Sequence, residues 1–81
     1  KDFMPLTYNK LDELTKQIEA APTVELYLKR CVLYQQTGLY HEALNDCYSA
    51  LEIDPDNAEA KAHAEMIEAI FDYFYTDRLN P

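Results

Sequence analysis

Apolar residues recur along this chain every three or four positions, the spacing of an α-helix that buries one side. Four such segments follow one another. Over residues 8–20, Leu11, Leu14 and Ile18 make a stripe, while Lys10, Asp12, Glu13, Lys16, Gln17 and Glu19 lie off it. Over 24–36 the apolar residues sit nearly all round, from Val24, Leu26, Tyr27 and Leu28 to Cys31, Val32, Leu33 and Tyr34. A helix of that kind needs neighbours on more than one side. Over 41–53, Ala43, Leu44, Cys47, Ala50 and Leu51 form the buried stripe, with Tyr40 leading into it; Glu42, Asn45, Asp46, Ser49 and Glu52 form the solvent face. Over 58–75, Ala60, Ala64, Ile67, Ile70, Phe71 and Phe74 fit a core stripe, opposite Lys61, Glu65, Glu68 and Asp72. Tyr75 to Pro81 reads as a tail.

The breaks carry their own chemistry. Thr7, Thr23 and Asn57 stand where a side-chain oxygen can accept the unpaired N–H groups at a helix start. Pro22 and Pro55 cannot continue the helices before them. Gly38, the single glycine, is placed to take the left-handed conformation that ends the second helix. Only about four residues separate the second helix from the third, so the two are expected to pair antiparallel as a hairpin. The expectation is one all-α domain over residues 1–81, built from about four helices.

Composition narrows the function. With 81 residues and 48% hydrophobic content, the chain holds one small core and is not disordered. Charges interrupt every apolar run, so no membrane span is expected. The formal charge is −8. Residues 1–40 hold five acids and five bases; residues 41–81 hold ten acids against Lys61 and Arg78. Such a surface repels phosphate backbones, which argues against nucleic acid as a partner. The two cysteines, Cys31 and Cys47, have no metal-site spacing, so a reduced, cytoplasmic setting is the default. His41 and His63 have no nucleophile or carboxylate at a motif spacing, and one glycine cannot make a phosphate loop. We therefore expect no enzyme, no metal and no cofactor.

Thr23 and Asn57 are 34 residues apart, each a cap after a proline-containing turn, followed by Val24-Glu25-Leu26 and Ala58-Glu59-Ala60. Paired helices at that period resemble the tetratricopeptide repeat (TPR). Over 24–57 the family's fixed positions read Tyr27, Arg30-Cys31, Tyr34, Ala43, Cys47 and Pro55, and Ala50 to Pro55 resembles its ending. Arg30 stands in place of a leucine and Cys47 in place of an aromatic. Residues 8–22 and 58–75 resemble flanking half-repeats, the last with the polar face of a terminal helix.

The resemblance implies antiparallel hairpins stacked as a short right-handed superhelix, and a concave groove that holds a partner's peptide or helix. By position the groove would comprise Leu28, Val32 and Gln35 from the second helix and Ala62 and Met66 from the fourth, rimmed by Glu25, Lys29, Gln36 and Glu59. The implied partner is a protein or peptide of basic or apolar character. Some members clamp a carboxylate terminus with several cations; here only Lys29 and Arg30 are near, and Glu25 and Glu59 oppose them. An alternative comes from Phe71, Tyr73, Phe74 and Tyr75 at the end of the last helix. They would either close the core, through Phe71 and Phe74, or offer a face to a second copy as a homodimer.

Overall fold

The structure, a computed structural model, describes the backbone of residues 6–79 and the side chains of residues 8–74. Four α-helices follow in order: α1 (Leu6–Ala20), α2 (Val24–Gln36), α3 (Tyr40–Ile53) and α4 (Ala58–Leu79). Among the described residues there is no strand. Each helix packs on the next, α2 on α3 most extensively, giving an all-α stack of helical hairpins. The helix starts share one offset: Val24 and Ala58 are 34 residues apart, as are Leu6 and Tyr40.

The caps account for the boundaries. Thr23 Oγ1 accepts the Leu26 N–H at 3.1 Å, and Asn57 Oδ1 accepts the Ala60 N–H at 2.9 Å. Each satisfies one of the donors that a helix start leaves unpaired. Gly38 takes φ +80°, and Leu39 N–H returns to the Tyr34 carbonyl at 2.9 Å, closing the end of α2. Two boundaries differ from the sequence expectation. The helix already begins at Leu6, so Thr7 lies inside α1, and the cap expected of its side chain lies outside the described residues. Residues 76–79 continue α4 instead of forming a tail, since no proline or glycine interrupts them before Pro81.

The core lies between α2, α3 and α4 and is built largely from small residues. Cys31, Ala43, Cys47, Ala64 and Ile67 form one cluster, flanked by Tyr34, Tyr40, Leu44 and Phe71. Leu28, Ala50 and Ala60 form a second, flanked by Val24, Tyr27 and Leu51. Alanine and cysteine at the contact lines let the helices approach closely, and the tyrosines fill the space beside them. Leu11 and Ile18 of α1 are buried at the other end of the stack.

Two assignments from the pattern are corrected. Asp46 is not on the solvent face: it is 2% exposed. Arg30 crosses from α2 and takes both of its oxygens, Nε to Oδ2 at 2.9 Å and Nη2 to Oδ1 at 2.7 Å. A carboxylate paired in this way no longer needs water. Phe74 is not in the core but 59% exposed, three positions beyond Phe71, which packs against the core cluster. Phe71 instead stacks on His41, ring centres 4.6 Å apart.

Candidate functional site

The helix expected to need neighbours on several sides has them on all but one. The buried face of α2 carries Leu28 and Cys31, and its open face carries Val32, 37% exposed between flanking charges. Two hollows meet at that residue. The smaller lies between α2 and α4, holds about 230 Å³ and is lined by Glu25, Leu28, Lys29, Val32 and Glu59. The larger lies between α1 and α2, holds about 420 Å³ and is lined by Lys10, Glu13, Leu14, Gln17, Lys29, Val32 and Leu33. Lys29 and Val32 belong to both. The floor is apolar and the rims carry both signs of charge.

Of the residues the resemblance pointed to, the structure brings five together: Glu25, Leu28, Lys29, Val32 and Glu59. Leu28 is the floor of the smaller hollow, 7% exposed and part of the core cluster with Ala50 and Ala60. Gln35 is half-buried and engaged: its amide nitrogen lies 3.1 Å from His63 Nδ1 and 3.2 Å from Cys31 Sγ. That nitrogen can only donate, so the ring nitrogen facing it accepts. Gln36, Ala62 and Met66 are exposed and line neither hollow. In the aromatic group, Phe71 packs on the core, whereas Tyr73 and Phe74 stand in solvent as an edge-to-face pair 5.3 Å apart. The Tyr75 side chain lies outside the described residues.

The α1 wall of the larger hollow was not among the expected residues. Lys10, Glu13 and Gln17 repeat at three- and four-residue spacing beside Leu14, so they share one face of α1. That spacing is visible in the sequence; what it does not show is that the face turns toward Val32.

A polar strut holds α2 in place behind this surface. Arg30 binds Asp46 of α3 with two bonds and Thr15 Oγ1 of α1 with a third, at 3.0 Å, and its guanidinium lies 5.5 Å from the centre of the Tyr34 ring. The hydrogen bond to Asp46 raises the already high Arg30 pKa further. Among the described residues no buried side-chain nitrogen or oxygen lacks a partner. Among the same residues no group of three or more histidines, cysteines and carboxylates is placed to hold a metal, and no helix is long and apolar enough to cross a membrane.

Fold and surface together define the class: a stack of helical hairpins with an open, mixed-charge furrow along one helix. No protein-family model matches the chain, and no solved structure matches it. A stretch of 52 residues, 64% of the chain, is 35% identical to bacteriophage adsorption protein A of Escherichia coli (strain K12). The match covers 5% of that protein's length. The four-helix architecture is compatible with a helical repeat.

Proposed function

We propose that the chain is a protein-interaction module of the tetratricopeptide-repeat type, which seats a peptide or helix of a partner along the open face of α2. The observation that carries this reading is Val32, an apolar residue left 37% exposed at the junction of two hollows. Support for the repeat type comes from the 34-residue offset between the starts of α2 and α4 and from the small-residue contacts at Cys31 and Ala43. Leu14, Val32 and Leu33 would take apolar side chains of the partner, and Lys10, Lys29, Glu25 and Glu59 would set its direction by charge. The partner is a protein or peptide with apolar anchors and basic neighbours, which the −8 net charge would attract.

The test is capture of partners from an extract of the source cells by the wild-type chain and by Val32→Glu. Loss of a captured protein with helicity and Tm unchanged supports the reading. Equal capture by the two chains, or a variant that unfolds, counts against it. A second reading, self-association through the last helix, draws on Tyr73 and Phe74, which are 69% and 59% exposed. Its measurement is oligomeric state in sedimentation.

A further inference from the structure

The chain has two cysteines, and they meet in the core. Cys31 Sγ on α2 lies 3.3 Å from Cys47 Sγ on α3. Both residues are wholly buried, and both are free thiols. Nothing in the furrow along α2 uses them. We propose that Cys31 and Cys47 form an oxidation site, at which a small-molecule disulfide converts them into a disulfide that bolts α2 to α3 within one chain.

The geometry asks little of the fold. A disulfide needs its sulfurs only about 1.3 Å closer than these two stand. The surroundings sort the two thiols into different roles. The hydrogen bond from Cys47 lowers the Cys31 pKa, with the Gln35 amide adding to it and burial opposing both. Cys47 is raised by that same bond and then by burial. The Gln35 amide, which donates to Cys31 Sγ and not to Cys47, favours the thiolate on Cys31.

The exchange balances as follows. The Cys31 thiol loses its proton to solvent, and its thiolate attacks one sulfur of the small disulfide. That S–S bond breaks and one small thiolate leaves, taking up a proton. Cys47 then loses its proton and attacks Cys31 Sγ, expelling the second small thiolate. Two protein thiols are oxidised, and one small disulfide is reduced to two thiols.

Access is controlled by α4. Ala64 and Ile67 of α4 share the core cluster of both cysteines, and the Gln35 amide ties Cys31 to His63 of α4 at 3.2 and 3.1 Å. An oxidant can reach Cys31 only when α4 lifts, so the rate follows that local opening.

The experiment incubates the full chain with oxidised glutathione under native conditions. The expected product has lost two hydrogens by intact mass, stays monomeric on a non-reducing gel, keeps its helicity and melts at a higher Tm. His63→Ala, which cuts the tie to α4, should oxidise roughly fivefold faster. Cys47→Ser should stop at a glutathione adduct on Cys31. The proposal is overturned if both thiols survive native incubation yet oxidise in denaturant, if the disulfides join two chains, or if the wild type keeps glutathione as a stable adduct. An unchanged rate in His63→Ala would overturn control by α4.

Discussion

Arg30 and Asp46 face each other as a two-pronged ion pair across the α2–α3 contact, with side chains 16% and 4% exposed. A leucine at position 30 would make this contact apolar; the pair makes it a charged one and adds a third bond, to Thr15 of α1.

That exchange has a measurable signature. Removing one partner leaves the other charge buried and unpaired, which costs more than the pair is worth. Asp46→Ala should lower the unfolding free energy by about 3 kcal/mol in urea. Arg30→Leu combined with Asp46→Ala should recover most of that loss, because no uncompensated charge remains. A double mutant as unstable as the single one would show that the strut contributes net stability.

The same strut marks where local chemistry stops and tertiary contact begins. Helix number, the hairpin, the caps at Thr23 and Asn57 and the left-handed Gly38 each follow from local chemistry, and each was legible. Asp46 was not. Its neighbours Asn45 and Ser49 mark a polar face, and only a residue sixteen positions earlier in the chain makes burial tolerable. Phe74 was misplaced for a related reason. Period places it on the core stripe, but it stands beyond the α3 surface that Phe71 covers, and tertiary reach is not a property of spacing. Of the two hollows, the α2 side, with Lys29 and Val32, follows from helical spacing, while the α1 wall depends on how two helices face one another.

Gly38 tests the turn. It is exposed, and a side chain added there would meet nothing within 4 Å. Any cost of Gly38→Ala therefore comes from its φ of +80° alone. We expect a loss of about 1 kcal/mol, with Gly38→Asn milder because asparagine tolerates the left-handed region better. Thermal melts of the two variants would measure it; a neutral alanine would mean that the end of α2 relaxes.

Tyr48 gives a pH dependence with a definite sign. Its hydroxyl donates to Glu68 of α4, and this bond, before burial and the Glu68 charge, holds the phenol above the ordinary tyrosine value. The folded chain then keeps that proton more tightly than the unfolded chain. The stabilisation is complete below about pH 10 and declines as pH rises beyond it. Tyr48 is largely solvent-exposed, so the effect is small. Subtracting the melting profile of Tyr48→Phe from that of the wild type, from pH 8 upward, should leave a difference that shrinks on the alkaline side. A difference that grows there would reverse the assignment.

Which hollow a partner uses can be separated by substitution. Glu59 lines only the smaller hollow, Lys10 and Glu13 only the larger, and Met66 neither, although it is 47% exposed. Reversing rim charges should alter capture with little effect on stability, since exposed substitutions change stability by no more than about 0.5 kcal/mol. A partner lying between α1 and α2 should be weakened by Lys10→Glu and indifferent to Glu59→Lys; one lying against α4 should show the opposite. Met66→Lys should be silent in both cases. Binding of a captured partner to these three variants and to Val32→Glu, at two salt concentrations, decides between them: the rim effect should fade at the higher salt while the loss from Val32→Glu persists, because one contact is charged and the other apolar. Sensitivity to Met66→Lys alone would move the binding surface to the outer face of α4.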